Sequence, residues 1–414
     1  MRVLHLISSG GMYGAEAVIL NLSRTLNQQG HASIVGVFSN ASNPNLQLHE
    51  LALAESIESH QIPCHGQIDR SVPSAIRSLA ASVQAEVIHA HGYKADVYAW
   101  LAMRGSDSQR RIPLVSTCHT WYDDNPLVWL YGALDRKVLR SYQAVIAVSD
   151  NVRTRLLAAG VSADQIHFIR NGIDLRPFNN AKNRPPTFVG ALTPTADPTT
   201  GSTADGAPDS EELLVGWVGR LTRDKGPDLF LRAIAQLRTR FPATRYIMVG
   251  EGPYRPECER LIAELAAGDL VQLLGQRSDM PAIFASCDLM VSSSRLEGLP
   301  MAILEGMAAS LPWVATSVGA VPLAIRDGEN GLLIPPENVD LLAASMARLM
   351  LHPEERARMG AAARTLAEQE FSAERMTEDT LKVYEQARLH RLLDRPRPRS
   401  LNSSQDHRSH REEP

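Results

Sequence analysis

The stretch from residue 213 to 250, LLVGWVGRLTRDKGPDLFLRAIAQLRTRFPATRYIMVG, decides the fold. An apolar run over 213–218 stops at Gly219, a short charged loop follows, and Pro227 opens a segment with apolar residues at helical spacing. A second apolar run over 245–249 closes the unit. Two short, continuously apolar runs joined through a helix are neighbouring strands of a parallel sheet, covered on both faces.

The same alternation extends in both directions. Upstream, strand-like runs fall at 3–7, 33–38, 87–90, 114–117 and 144–148, with helical patterns between them, for example over 15–29 and 150–159. Downstream, runs at 271–274, 289–291 and 313–316 alternate with helices at 227–239, 257–266 and 300–309. The rhythm breaks near Asn171-Gly172-Ile173-Asp174 and again over 181–212. That second break includes TPTADPTTGSTADGAPDSEE, which has almost nothing to bury and cannot offset its own ordering entropy. It reads as a flexible insertion between two α/β units, residues 1–180 and 213–371, each of Rossmann-like size and facing the other across a hinge. The chain is mostly helical from 339 to about 389, and a tail over 391–414, rich in Arg, Pro, Ser and His, reads as disordered.

Composition narrows the function. A net charge of −4 with scattered basic residues leaves no field to gather nucleic acid. Cys64, Cys118, Cys258 and Cys287 lie far apart without a CxxC pair, as packed, reduced thiols do. The apolar start, residues 3–7, is too short for a signal peptide, and no stretch approaches the roughly 20 apolar residues of a membrane helix. The reading is a cytoplasmic protein, with docking on the inner membrane face left open.

Three loops carry candidate chemistry. In Glu297-Gly298-Leu299-Pro300-Met301-Ala302-Ile303-Leu304-Glu305, a carboxylate precedes a glycine turn and a second falls on the next helix. Backbone N–H groups of Gly298, Leu299 and Met301, around Pro300, would form an anion site beside a carboxylate suited to a ribose diol and another suited to sugar hydroxyls. Two surface glutamates around a tight turn are the plain alternative. In Gly219-Arg220-Leu221-Thr222-Arg223-Asp224-Lys225-Gly226, two cations precede a helix N-terminus, where the dipole disfavours them unless a diphosphate is present. A solvated basic loop is the alternative there. Ser9-Gly10-Gly11-Met12-Tyr13-Gly14 follows the first strand and lets a ligand approach the backbone, or serves only as a turn. Its spacing is not GxGxxG, which weakens a nicotinamide reading.

His89 and His91 end one strand and His119 another, so all three are expected at the carboxyl edge, facing a cleft. His-x-His suggests metal, but no third ligand is identifiable from spacing. A histidine capping a buried strand remains the alternative.

Glycine loop, His119, Arg220 with Lys225, and Glu297 with Glu305 recur in this order on strand ends, and together they resemble glycosyltransferase family 4. The segments VGWVGRLTRDKG, YIMVGEGPYR, SRLEGLPMAILEGMA and DGENGLLIPP are similar to those of the family. The resemblance spans residue 1 to about 388, apart from the insertion, and implies a GT-B fold and retaining transfer from a nucleoside diphosphate sugar to a saccharide or lipid-linked acceptor. It implies that Arg220 and Lys225 bind the diphosphate, that Glu297 contacts the donor sugar and Glu305 the ribose, and that Gly11 crowds phosphates and acceptor. It further implies that His119 contacts the sugar near the reacting carbon. Asn171 belongs to the hinge-side turn, Gly250 and Gly252 to the loop near the base, and the helix over 372–390 crosses back to the first unit. No Asp-x-Asp pair occurs, so cations and helix N-termini are expected to replace a metal cofactor. A GT-B epimerase or phosphorylase, and a non-catalytic nucleotide-sugar-binding partner, remain the other readings. The stretch 127–142, with Trp129, Leu130, Tyr131, Arg136, Lys137 and Arg140, is either a peripheral membrane contact or a packed helix with a basic end.

Overall fold

The computed structural model describes residues 1–9, 11, 12, 14–40, 45–66, 68–104, 112–119, 126–179 and 212–393. The insertion, apart from Glu212, and the tail from residue 394 lie outside the described residues, as does Gly10.

The first sheet contains β1 (Arg2–Ile7), β2 (Ala32–Ser39), β3 (Glu58–Pro63) and β4 (Val87–His91), then β5 (Leu114–Cys118), β6 (Ala144–Ala147) and β7 (Ile166–Phe168). Its strand order is β3-β2-β1-β4-β5-β6-β7. The second contains β8 (Leu214–Val218), β9 (Arg245–Val249), β10 (Val271–Gly275), β11 (Leu289–Ser292), β12 (Trp313–Thr316) and β13 (Gly331–Ile334), in the order β10-β9-β8-β11-β12-β13. Every described pairing is parallel, so each unit is a doubly wound α/β layer.

Helices of the first unit are α1 (Gly14–Gln28), α2 (Gln47–Ala54), α3 (Val72–Ser82), α4 (Tyr93–Arg104), α5 (Pro126–Leu139) and α6 (Asp150–Ala158). Those of the second are α7 (Pro227–Leu237), α8 (Arg255–Glu264), α9 (Met280–Ser286), α10 (Met301–Ala308), α11 (Val321–Ala324), α12 (Val339–Leu351) and α13 (Pro353–Glu370). Then α14 (Ala373–Leu393) leaves the second unit and packs on α1 and β5.

Burial explains these elements. The central strands β1, β4 and β5 are buried almost throughout, which is why they read as unbroken apolar runs. Helix α7 turns Leu229, Phe230, Ala233, Ile234 and Leu237 onto the second sheet, around the fully buried Trp217 and Tyr246. Three strands, β3, β7 and β13, were not among the expected runs. All three lie at a sheet edge, where one side is less covered and the sequence (ESHQIP, IHF, GLLI) is polar or short. Pro300 is not the first helical residue of α10 but its N-cap, with ψ at 125°, because its backbone stays extended there.

Each sheet has one reversal of strand order, between β1 and β4 in the first and between β8 and β11 in the second. Loops leaving the carboxyl ends of such a pair diverge to opposite faces and open a crevice. The loops after β1, β8 and β11 are the three singled out by sequence. Among the described residues all four cysteines are free and buried, and no helix is long and apolar enough to cross a membrane.

Candidate active site

The crevice of the second sheet is built by two loops locked together. After β8 the chain enters a 3-10 turn, Arg223–Lys225, and reaches Gly226 in the left-handed region at φ 63°. A side-chain carbon on Gly226 would stand 2.0 Å from the Ser293 carbonyl oxygen, so only glycine admits this approach. Ser293 Oγ in turn donates to the Gly226 carbonyl at 2.6 Å. This contact brings Lys225, after β8, against Glu297, after β11: Lys225 Nζ donates to Glu297 Oε2 at 2.6 Å. Ser294 Oγ donates to the other carboxylate oxygen at 2.7 Å. Their side chains are only 22% and 6% exposed, so the ammonium is the counter-charge of a nearly buried carboxylate.

Arg220 lies exposed on the same loop, before the 3-10 turn. A third loop, Gly250 to Gly252, braces it from the other side. Leu221 N donates to the Glu251 carbonyl, and a side-chain carbon on Gly250 would stand 1.9 Å from the Gly219 oxygen. Both glycines thus sit where backbone meets backbone.

Glu305 lies on the second turn of α10, and its side chain has no hydrogen bond or ion pair among the described residues. Burial pushes its carboxyl up to about 7. An unpartnered carboxyl in such a place can take hydrogen bonds from two neighbouring hydroxyls. Leu299 is buried in the apolar cluster beneath α10, while the Gly298 carbonyl accepts from Ala320 N at 3.2 Å.

The first unit meets this region directly. A side-chain carbon on Gly298 would lie 3.9 Å from the His119 carbonyl oxygen, and one on Gly14 would lie 3.6 Å from Met301 Cγ. The N-terminus of α1 therefore faces that of α10, and the loop after β5 faces the one after β11. Gly11, buried and at φ 143°, is held by Ser9, whose single hydroxyl hydrogen is within reach of both the Gly11 carbonyl at 3.0 Å and Glu16 Oε1 at 2.9 Å, while Gly11 N donates to the Ser9 oxygen. His119 Nε2 is buried and has no hydrogen-bond partner among the described residues, and burial lowers the imidazole to about 4, so the ring is neutral near pH 7.

His89 and His91 do not face the cleft as expected. His89 is buried and satisfied on both nitrogens, 2.7 Å from Tyr384 Oη on α14 and 2.7 Å from Thr117 Oγ1. His91 stacks between His89 and His119, and its Nε2 lies 3.2 Å from His5 Nδ1. The third ligand that spacing failed to supply is His5, because the β1–β4 register pairs it with His89. One nitrogen from each of the three falls within 4.8 Å of the others. Both nitrogens of His89 are engaged, however, and burial depresses all three imidazoles, to about 3 for His5. His5 Nε2 and His91 Nδ1 have no hydrogen-bond partner among the described residues, so the cluster reads as a neutral, only partly hydrogen-bonded brace under the cleft.

Asn171 is buried. Its turn lies under the crossover into α14, where Ile173 bridges Ser372 and Asn21 donates to the Gly172 carbonyl. Residues 127–139 of the stretch over 127–142 lie in α5, with Leu134 exposed, and 140–142 form the turn after it; the side chains of 126–131 lie outside the described residues.

Two facing doubly wound parallel sheets, each with a crevice at its switch point, are the arrangement of the GT-B class. Two family models match, "Glycosyltransferase Family 4" over residues 12–176 and "Glycosyl transferases group 1" over 202–366. The chain belongs to glycosyltransferase family 4 and is a transferase. A D-inositol 3-phosphate glycosyltransferase from Saccharomonospora viridis is 28% identical over 326 residues, covering 73% of this chain and 70% of that protein. An alpha-D-kanosaminyltransferase from Streptomyces kanamyceticus is 34% identical over 161 residues, 38% of this chain and 42% of that protein. Among solved structures, Anabaena HepE in complex with UDP and glucose superposes with a TM-score of 0.77 at 22% identity, over 93% of this chain and 99% of the other. Sucrose-phosphate synthase from Thermosynechococcus elongatus does so at 0.74 and 19%, over 93% and 98%. These two likenesses establish the fold.

Proposed function

We propose that the chain transfers a sugar from a nucleoside diphosphate sugar, with retention, to a saccharide or lipid-linked acceptor, in the making of surface polysaccharide or glycolipid. The observation that carries this reading is the Lys225–Glu297 pair at the β8/β11 switch point, opposite the loop of His119. Sugar transfer leaves negative charge on the departing diphosphate and positive charge at the anomeric carbon. Lys225, Arg220 and the N-terminal amides of α10 meet the first charge without a divalent ion, and Glu297 steadies the second. Glu305 takes the ribose hydroxyls, and His119, neutral, hydrogen-bonds the sugar. Gly11 and the N-terminus of α1 border the phosphates and acceptor from the other side, and the leaving phosphate removes the acceptor proton. Closing the cleft holds donor and acceptor together and excludes water.

UDP is the favoured nucleotide, because structural neighbours of this chain are complexes with UDP and UDP-glucose. The name of one relative, D-inositol 3-phosphate glycosyltransferase, points to a polyhydroxylated acceptor, and that of another, alpha-D-kanosaminyltransferase, to an amino sugar as the group transferred. The reaction is assigned to the cytoplasm, where activated sugars are made, with a lipid-linked acceptor reached at the inner membrane face.

The test is donor consumption by the purified chain with a panel of nucleoside diphosphate sugars and acceptors, with product configuration read by NMR. Acceptor-dependent consumption giving a retained anomer is expected. Sugar phosphate formed without acceptor, or donor binding without turnover under every acceptor, would reject the proposal.

A further inference from the structure

Arg295 lies two residues before Glu297, and all five of its guanidinium N–H groups are spent inside the protein. Its two terminal nitrogens bond Asp228 Oδ1 and Oδ2 at 2.7 and 2.8 Å, a bidentate fork onto the first turn of α7. Nε and a terminal nitrogen bond the two carboxylate oxygens of Glu337 at 2.5 and 3.2 Å. The remaining hydrogen goes to the Arg223 carbonyl at 2.8 Å. The Arg295 backbone N–H adds a bond to the Asp224 carbonyl at 2.7 Å.

Arg223 and Asp224 are the two residues immediately before Lys225 in the 3-10 turn. Arg295 therefore grips the turn that presents Lys225, from the loop that presents Glu297. Glu337 is held in the left-handed region at φ 61°, a conformation that costs a non-glycine residue about 1 kcal/mol and persists only where surrounding contacts enforce it. The clamp spans three loops of the second unit, after β8, β11 and β13.

We infer that Arg295 is a positioning residue for transfer: it touches no substrate, and it fixes the height of Lys225 so that the ammonium reaches the donor diphosphate. With every donor already used, it has none left to offer a ligand. Its bonds to backbone carbonyls, unlike a surface ion pair, define a geometry. Arg295→Lys keeps the charge but loses the fork and most of the five bonds. This inference rests on the proposed meeting of Lys225 with the diphosphate.

The test is a double-mutant cycle read by calorimetric binding of UDP, with melting temperature recorded for each variant. Lys225→Ala is expected to weaken UDP, and Arg295→Met to weaken it about tenfold in the parent chain but less than about twofold in the Lys225→Ala background. Arg295→Lys should fall between parent and Arg295→Met. The fall in melting temperature caused by Arg295→Met should be the same in both backgrounds, because the clamp's stability does not pass through Lys225. Should Arg295→Met fail to fold, Asp228→Asn loosens the same fork and must show the same dependence on Lys225. If the losses in affinity multiply, Arg295 does not act through Lys225 and the inference is overturned while the site reading stands. If Lys225→Ala binds UDP as the parent does, the site reading itself fails, and the inference with it.

Discussion

Lys225 Nζ and Glu297 Oε2 stand 2.6 Å apart, although 72 residues separate them in the chain. The pair is made by two loops at one reversal of strand order, so it is a product of topology. A lysine so placed carries its charge into a crevice at the cost of satisfying a carboxylate first. Under the proposed function, an entering diphosphate shares the ammonium with Glu297.

Replacing Lys225 by alanine removes that charge. Transfer is expected to fall by at least about a hundredfold in kcat/KM, as when a charge-stabilising donor is lost from an active site. Far-ultraviolet circular dichroism should be unchanged. Steady-state kinetics within threefold of the parent would exclude Lys225 from the site.

Glu305 makes stability depend on pH. Its folded carboxyl titrates near 7 and its unfolded one near 4.5, so over that window the folded chain holds a proton that the unfolded chain has released. This group's contribution is neutral below about 4.5, turns unfavourable as pH rises through the window, and is constant above about 7. Glu305→Gln should therefore stabilise the ligand-free chain at pH 8 and leave it unchanged at pH 4.5. Urea midpoints at the two pH values measure it, and an equal shift at both would refute the assignment.

The same carboxyl must ionise to accept hydroxyl hydrogen bonds most strongly, so a nucleoside diphosphate sugar should bind more tightly at pH 8 than at pH 6. In Glu305→Gln the difference should vanish. Calorimetry with UDP-glucose, whose diphosphate does not titrate in this range, provides the reading.

His119 is neutral near pH 7, since burial holds its imidazole near 4. His119→Ala is expected to lower kcat about ten- to a hundredfold through a lost hydrogen bond in the transition state. The pH profile of kcat between 6 and 8 should keep its shape. A limb in that range that disappears with the histidine would mean the ring titrates there and has been misread.

Divalent ions are not expected to matter. Exhaustive dialysis against EDTA should leave at least about half of the transfer rate, because Lys225, Arg220 and helix amides carry the charge. Complete loss restored by Mg2+ or Mn2+ would reverse this.

Much of the architecture is legible in the residues alone, for a physical reason. Strands such as β4 and β8 are buried on both faces and must be apolar along their length, whereas edge strands such as β3 (ESHQIP) are not and leave no such mark. Lys225, Glu297 and Glu305 stand out because charged residues cluster with glycine and proline in the loops and the helix that follow two strands, a local pattern that spacing alone displays. Arg295 was hidden in plain view within SRLEGLP: its five partners come from residues 223, 228 and 337, and no local spacing relates them. His5 escaped notice for a similar cause, since only strand register sets it opposite His89. The histidines of β4 were expected in the cleft because they end a strand, but His91 packs among His5, His89 and His119, and His89 is taken up by the Tyr384 hydroxyl of α14.

That last contact orders events during synthesis. Val383, Tyr384 and Ala387 complete the same apolar cluster as Val3, Val18 and Val87, so the strands of the first sheet wait for a helix translated about 300 residues later. A nascent chain held on the ribosome at residue 370 should still expose the α1 side of its first sheet and be cut there by protease, while a chain released past residue 393 resists. Chaperone engagement is expected to last until that final helix emerges.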